Sequence, residues 1–193
     1  MNKRAKSNSI RVISGQLKGR KIEVLDVNGL RPTTDRARET LFNWLMYEVQ
    51  GARCLDLFAG SGALGIECLS RGASFVQFVE FNKVASSNIS RSLIGFGIDQ
   101  GKCSALNLSF DVFLARPPAQ PYDVVFLDPP FDSDFLTSAV KKLANTGWLS
   151  RDAIVCIEQS AQISKVEVPA NWSVHRERKI GQSLLTLYTL NNT

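Results

Sequence analysis

The spacing of apolar positions divides the chain near Gly51. Before it, residues 10–25 hold two short β-like runs, IRVIS and KIEVL, around Gly15 and Gly19, and they predict a hairpin. The following RPTTDRARETLFNWLMYEV reads as a turn and then a helix. Thr33 or Thr34 can cap it, because a hydroxyl oxygen at that position accepts a first-turn N–H. Ala37, Leu41, Trp44, Leu45 and Val49 recur at helical spacing and share one face. Residues 1–9 are basic and read as a disordered arm. After Gly51, strand-length apolar runs take over: RCLDLF, SFVQFVE, KCSALN, YDVVFLD, AIVCIEQ, SVHRERKI and SLLTLYTL. Helical stretches separate the first five: ALGIECLSRG, NKVASSNISRSLIGFG, SFDVFLAR and SDFLTSAVKKLANTG.

Several of these strands are apolar nearly throughout, as strands buried on both faces of a parallel sheet are. Their alternation with helices predicts a doubly wound α/β sheet. Only a turn near Gly181 separates the last two runs, so they should close the sheet as an antiparallel hairpin. The organisation expected is residues 1–50 as arm, hairpin and helix, and residues 51–193 as the main core.

Composition narrows the class. A chain of 193 residues with 44% apolar content suits one folded domain. No apolar run reaches the roughly 18 residues of a membrane span, and the basic start lacks an apolar stretch behind it, so a cytoplasmic protein is expected. Cys54, Cys68, Cys103 and Cys156 form no C-x-x-C pair and read as reduced core thiols. One histidine, His175, excludes a histidine-built zinc site; it reads as a surface strand residue. Charge is uneven. Ten of the 23 basic residues and only four of the 18 acidic ones fall within residues 1–40. A localised basic segment on a near-neutral body suits a grip on a phosphate backbone, although a solvated tail has the same composition.

Two motifs carry chemistry. The first strand runs into Asp56-Leu57-Phe58-Ala59-Gly60-Ser61-Gly62-Ala63-Leu64-Gly65. A glycine loop between strand and helix lets a ligand approach the backbone closely. Glu80 ends the next strand, where a carboxylate can accept hydrogen bonds from a ribose diol. The loop also fits the G-x-G-x-x-G fingerprint of nicotinamide dinucleotides, so by itself it leaves two cofactors open. Asp56 favours S-adenosylmethionine, since a carboxylate there repels a pyrophosphate and attracts an ammonium.

The second motif, Asp128-Pro129-Pro130-Phe131, follows the apolar VVFL. Two prolines fix φ twice and remove two N–H donors, leaving a rigid corner that offers only acceptors. An exocyclic NH₂ on a base needs acceptors, here the Asp128 carboxylate and the Pro129 carbonyl, while Phe131 offers a face for stacking. Holding both N–H bonds turns the amine lone pair toward an incoming methyl group, and positioning supplies much of the catalysis. No metal is needed. A plain proline turn is the competing reading; the upstream glycine loop three strands away argues against it.

With both motifs in place, the sequence resembles the S-adenosylmethionine-dependent methyltransferases with a seven-stranded Rossmann-like sheet. More narrowly it resembles the RsmD family of bacterial small-subunit ribosomal RNA guanine-N2 methyltransferases. The segments that carry the resemblance are RVISGQLKGRKI at 11–22, RPTTDRARETLFNWL at 31–45, LDLFAGSGALGIECLSRGA at 55–73, FVE at 78–80, FLDPPF at 126–131 and, more loosely, GQSLLTLY at 181–188. The resemblance implies a mostly parallel sheet with an antiparallel C-terminal hairpin. It implies that Asp56, Gly60 and Gly62 line the methionine end of the cofactor, with Phe58 also among the binding residues. Glu80 would hold the ribose, Phe81 would lie beside the adenine, and Asn107 and Leu108 would flank its edge, although the 107–111 stretch, NLSFD, departs from the family pattern. Asp128, Pro129, Pro130 and Phe131 would hold the guanine amine. The implied substrate is 16S ribosomal RNA in an assembled or partly assembled small subunit, acted on by a monomer. Arg11, Lys18, Arg20 and Lys21 are candidates to grip phosphates. Arg31, Arg36 and Arg38 are candidates to cover the mouth of the site or bind RNA; pairing of Arg36 and Arg38 with Asp35 and Glu39 is the alternative. The target base would have to leave its stack to reach Asp128.

Three other functions share part of this pattern. A nicotinamide-dependent oxidoreductase has the loop but no use for D-P-P-F. A DNA adenine-N6 methyltransferase has D-P-P-[FY] but usually a separate recognition domain. A silent RNA-binding module would have no need for the acidic and glycine residues.

Overall fold

The computed structural model describes residues 8–24, 34–131, 134–145 and 147–191. The chain opens with an antiparallel pair, β1 (Asn8–Arg11) and β2 (Lys21–Val24), in which Ile10 faces Ile22. Both isoleucines are buried. Helix α1 (Asp35–Trp44) begins where Thr34 Oγ1 accepts the Ala37 N–H at 3.3 Å. It ends earlier than the apolar face suggests. Leu45 and Val49 remain buried, but as turn residues that lead the chain into Gly51, whose φ is +77°.

The alternating region follows as β3 (Arg53–Asp56), α2 (Ala63–Ser70), β4 (Phe75–Val79), α3 (Lys83–Gly95), β5 (Cys103–Leu106), α4 (Phe110–Phe113), β6 (Tyr122–Leu127), α5 (Phe135–Asn145), β7 (Leu149–Ser160), β8 (Trp172–Ile180) and β9 (Ser183–Leu190). The predicted helix at SFDVFLAR is one turn only, started by Ser109 Oγ accepting the Val112 N–H. The seven-stranded sheet has the order β5-β4-β3-β6-β7-β9-β8. Strands β3 to β7 pair in parallel, and β9 pairs antiparallel with both β7 and β8. The C-terminal hairpin is therefore present, with β9 turned inward and β8 at the edge. The exposed run His175–Lys179 on β8 suits that place, since charged side chains on an edge strand discourage pairing with other chains.

Alternation along the central strands builds two cores. Cys54, Val76, Phe78, Val124 and Phe126 face one side, where Leu41, Phe42, Ile66, Ile89 and the hairpin residues Ile10, Val12, Leu17 and Ile22 join them. Leu55, Leu57, Val79, Val125 and Leu127 face the other, under Phe110, Leu136, Ala139 and Val140. Cys54, Cys68 and Cys156 are buried and Cys103 is half-buried, all as free thiols.

Candidate active site

Strand order reverses between β3 and β6, which are neighbours in the sheet although β4 and β5 separate them in sequence. A crevice opens outside the carboxyl ends of the strands at such a point. Asp56 stands opposite Phe126, and the Leu57 N–H reaches the Phe126 carbonyl at 3.2 Å. Asp128 lies two residues beyond Phe126, as Phe58 lies two beyond Asp56. The acidic corner and the glycine loop therefore leave adjacent strands at the same edge.

The loop is shaped from within. Gly60 and Gly62 take φ of 52° and 77°, a region that disfavours residues with a Cβ. Gly62 is the N-cap of α2, and its N–H turns back to the Ala59 carbonyl at 2.6 Å. Gly65 lets the helix lie on β4: a Cβ there would fall 2.2 Å from Phe78 Cε1. Asp56 is 1% exposed and accepts the Gly65 N–H at 3.1 Å. Burial raises its pKa from 3.8 to about 7, opposed by the Gly65 hydrogen bond and reinforced by the nearby Glu80. Asp56 is thus a brace behind the loop, closed off from solvent and held by the Gly65 N–H.

Glu80 stands at the mouth. One carboxylate oxygen accepts the Gly60 N–H and the other the Asn82 N–H, both at 2.7 Å. Burial raises its pKa too, against those two hydrogen bonds. Asn107 Nδ2 donates to the carbonyls of Glu80 and Phe81 at 2.9 and 2.7 Å, so the end of β5 fixes the segment beside it. Phe81 is 78% exposed and Leu108 37%, large apolar surfaces beside a polar carboxylate. Phe58 packs 5.1 Å from Phe110, which packs 5.3 Å from Phe135. At the second motif Asp128 and Phe131 are half-buried, Pro129 is buried and Pro130 exposed. Leu41 of α1, Leu64 of α2 and Asp128 share a small apolar cavity beneath this corner.

These features fit a nucleoside with an amino-acid tail: a backbone loop free of side chains, a carboxylate beside it, and exposed apolar surface next to that carboxylate. Among the described residues, no group of His, Cys, Asp and Glu could hold a metal ion, and no helix is long and apolar enough to cross a membrane.

The basic residues are placed less uniformly. Arg11, Lys18, Arg20, Lys21 and Arg36 are exposed. Arg11 Nη1 donates to the Gly19 carbonyl at 3.2 Å, and Arg20 Nη2 donates to the Gly95 carbonyl at 2.8 Å. Arg38 is 1% exposed, with Nη2 donating to Asp35 at 2.7 Å and to the Arg11 carbonyl at 2.9 Å. Pairing with Asp35, the alternative to RNA contact, is the arrangement present, and the bond to the Arg11 carbonyl ties α1 to β1. Arg31 lies outside the described residues. Glu67 and Ser70, both buried in α2, carry no motif; the lone glutamate inside the apolar ALGIECL is the one signal of them in the sequence.

A seven-stranded sheet with this order, a glycine loop and the Glu80 carboxylate on one side of the switch point, and D-P-P-F on the other define a Rossmann-like methyltransferase. A family model described as Conserved hypothetical protein 95 matches residues 10–189. Ribosomal RNA small subunit methyltransferase D of Escherichia coli (strain K12) is 43% identical over 182 residues, 94% of this chain and 90% of its own. The protein of the same name from Haemophilus influenzae is 40% identical over 180 residues, 93% of each chain. The solved structure of Escherichia coli yhhF superposes with a TM-score of 0.87 at 39% identity, covering 96% of this chain and 100% of that one. The chain belongs to this family, the RsmD family.

Proposed function

We propose that the protein methylates the exocyclic N2 amine of a guanine in 16S ribosomal RNA, acting as a cytoplasmic monomer on an assembled or partly assembled small subunit. The observation that carries this reading is the shared edge: Asp128 leaves β6 beside the strand that carries the glycine loop. S-adenosylmethionine supplies a methyl group already activated on a sulfonium. Glu80 holds the ribose hydroxyls with the lone pairs left over from its two backbone bonds, and Gly60 and Gly62 leave the backbone open to the methionine end. Asp56 favours the ligand ammonium through its charge behind the loop. Phe81 and Leu108 cover the adenine.

On the substrate side, Asp128 and the Pro129 carbonyl accept the two N–H bonds of the amine, and Phe131 stacks on the base. This aims the nitrogen lone pair at the methyl carbon, in line with the bond that breaks. As the N–CH₃ bond formed and the S–CH₃ bond broke to leave S-adenosylhomocysteine, the amine would become cationic, and its extra proton would pass to Asp128 or to water. Arg11, Lys18, Arg20 and Lys21 grip phosphates flanking a base that has left its stack.

The test is Asp128→Ala, assayed for transfer of radiolabelled methyl to small-subunit RNA and for S-adenosylhomocysteine binding by calorimetry. Transfer should fall at least ~10³-fold, consistent with loss of a positioned acceptor at the reacting atom, while cofactor affinity stays within about threefold. Near-normal turnover would remove Asp128 from this role. Mass spectrometry of the product separates N2-methylguanosine from N6-methyladenosine.

A further inference from the structure

A fully buried carboxylate sits in the helix that the glycine loop starts. Glu67, 0% exposed, accepts the backbone N–H of Ile13 at 2.7 Å and of Ser14 at 3.0 Å, and also pairs with Arg71 Nε at 2.7 Å. Three residues on, Ser70 Oγ accepts the Leu17 N–H at 2.9 Å and donates to the Ser14 carbonyl. The Ser70 carbonyl accepts the Gln16 N–H at 2.7 Å. Gly15, at φ +79°, lies so close that a Cβ would stand 1.9 Å from the Ser70 oxygen. The turn that leads to Lys18, Arg20 and Lys21 is therefore clamped to the last turn of α2 by backbone groups, not by its own cations. Arg71 extends the clamp, its guanidinium 4.9 Å over the Phe42 ring of α1. On the other side of the hairpin, Asn88 Nδ2 of α3 donates to the Glu23 carbonyl at 2.7 Å.

Geometry gives the clamp a meaning. Helix α2 runs from the glycine loop back across the sheet for eight residues, a rise of about 12 Å. We propose that Glu67 is a positioning residue for RNA: it holds the basic turn at a fixed offset from the methyl-transfer corner, so that phosphates some base steps from the target are gripped in register with the flipped base. This rests on the phosphate-grip reading of the hairpin given above. Cofactor binding, at the other end of α2, is left alone.

The experiment uses the full chain with two variants. Gly15→Ala forces the turn off Ser70 while keeping every cation, and Glu67→Gln keeps the shape of the side chain while removing its charge. Each is compared with a Lys18→Gln, Lys21→Gln double variant, and thermal unfolding reports whether the fold persists. Methyl transfer to small-subunit RNA gives KM and kcat, calorimetry gives S-adenosylhomocysteine affinity, and RNA binding is followed from 50 to 200 mM KCl. Gly15→Ala should raise the RNA KM about tenfold, with kcat within threefold and cofactor affinity within twofold. Its salt slope should flatten by up to ~1.8, as when two phosphate contacts are lost, although no charge has been removed. Adding Gly15→Ala to the double-lysine variant should change the slope by less than it does in the parent. An unchanged RNA KM and slope in Gly15→Ala, or full additivity with the lysine substitutions, overturns the proposal. Should Glu67→Gln unfold, Gly15→Ala decides alone. If the double-lysine variant itself keeps the parent slope, the phosphate-grip reading fails, and this inference falls with it.

Discussion

Asp56 is the residue whose environment makes the sharpest demand on solution behaviour. Its carboxyl is buried behind the glycine loop, and desolvation lifts its pKa from 3.8 to about 7. Without cofactor, the folded protein then holds a proton that the unfolded chain has already lost. The sign follows: stability from this group is full below pH ~4, declines as pH rises, and is gone above pH ~7. At ~1.4 kcal/mol per pH unit the whole span amounts to roughly 4 kcal/mol, and the part between pH 5 and 7 to ~2–3 kcal/mol. Asp56→Asn keeps an oxygen to accept the Gly65 N–H but cannot ionise. Urea unfolding of both proteins without ligand, at pH 5, 6, 7 and 8, isolates the effect from the other titrating groups. The asparagine variant should gain on the parent by ~2–3 kcal/mol between pH 5 and 7 and no further by pH 8. An ammonium-bearing ligand reverses the preference, so S-adenosylhomocysteine affinity should climb up to about tenfold per pH unit toward pH 7 in the parent and stay level in the variant. A stability difference that is flat from pH 5 to 8 would refute the reasoning, because it would mean that Asp56 ionises behind the loop without penalty.

Three further outcomes follow from the same edge of the sheet. Glu80→Ala strips the acceptor from the Gly60 and Asn82 N–H groups and from the ribose, and calorimetry should find S-adenosylhomocysteine bound ~5- to 150-fold more weakly, as a loss of ~1–3 kcal/mol dictates. Gly65→Ala drives a methyl group to within 2.2 Å of the buried Phe78 ring. Overpacking of ~1–3 kcal/mol should outweigh the ~1 kcal/mol gained in helix propensity, and urea unfolding should show that Phe78→Leu is better tolerated in the alanine background than in the parent. Neutralising Arg11, Lys18 and Arg20 should weaken RNA binding and reduce its salt slope by up to ~2.7, read by titration at 50 and 200 mM KCl; a parent-like slope would take the hairpin out of the RNA interface.

Legibility in the sequence tracked how local each cause was. Strands β3, β4, β6 and β7 were readable because burial on both faces leaves near-continuous apolar runs, and the glycine loop because positive φ at residues 60 and 62 demands glycine where the motif has it. The place of β9 between β7 and β8 was not readable: a two-residue turn makes the pair antiparallel whichever strand faces inward. What settles it is burial, since Leu185, Leu187 and Tyr188 are closed off while Arg176 to Lys179 face solvent. Charged residues were the hardest to place. Arg38 suits RNA contact or a helix pair with Asp35 equally by spacing, and its guanidinium is held by Asp35 and also by the Arg11 carbonyl 27 residues away. Glu67 drew no notice in ALGIECL, yet its two oxygens take backbone N–H groups 53 and 54 residues upstream. In each case the partner distant in sequence is a main-chain group, which every residue carries and no residue type advertises. A buried charge in this fold is therefore best found by asking which backbone groups of the hairpin need satisfying. The answer leads from the basic turn through α2 to the glycine loop, the same line along which the binding and transfer experiments should divide.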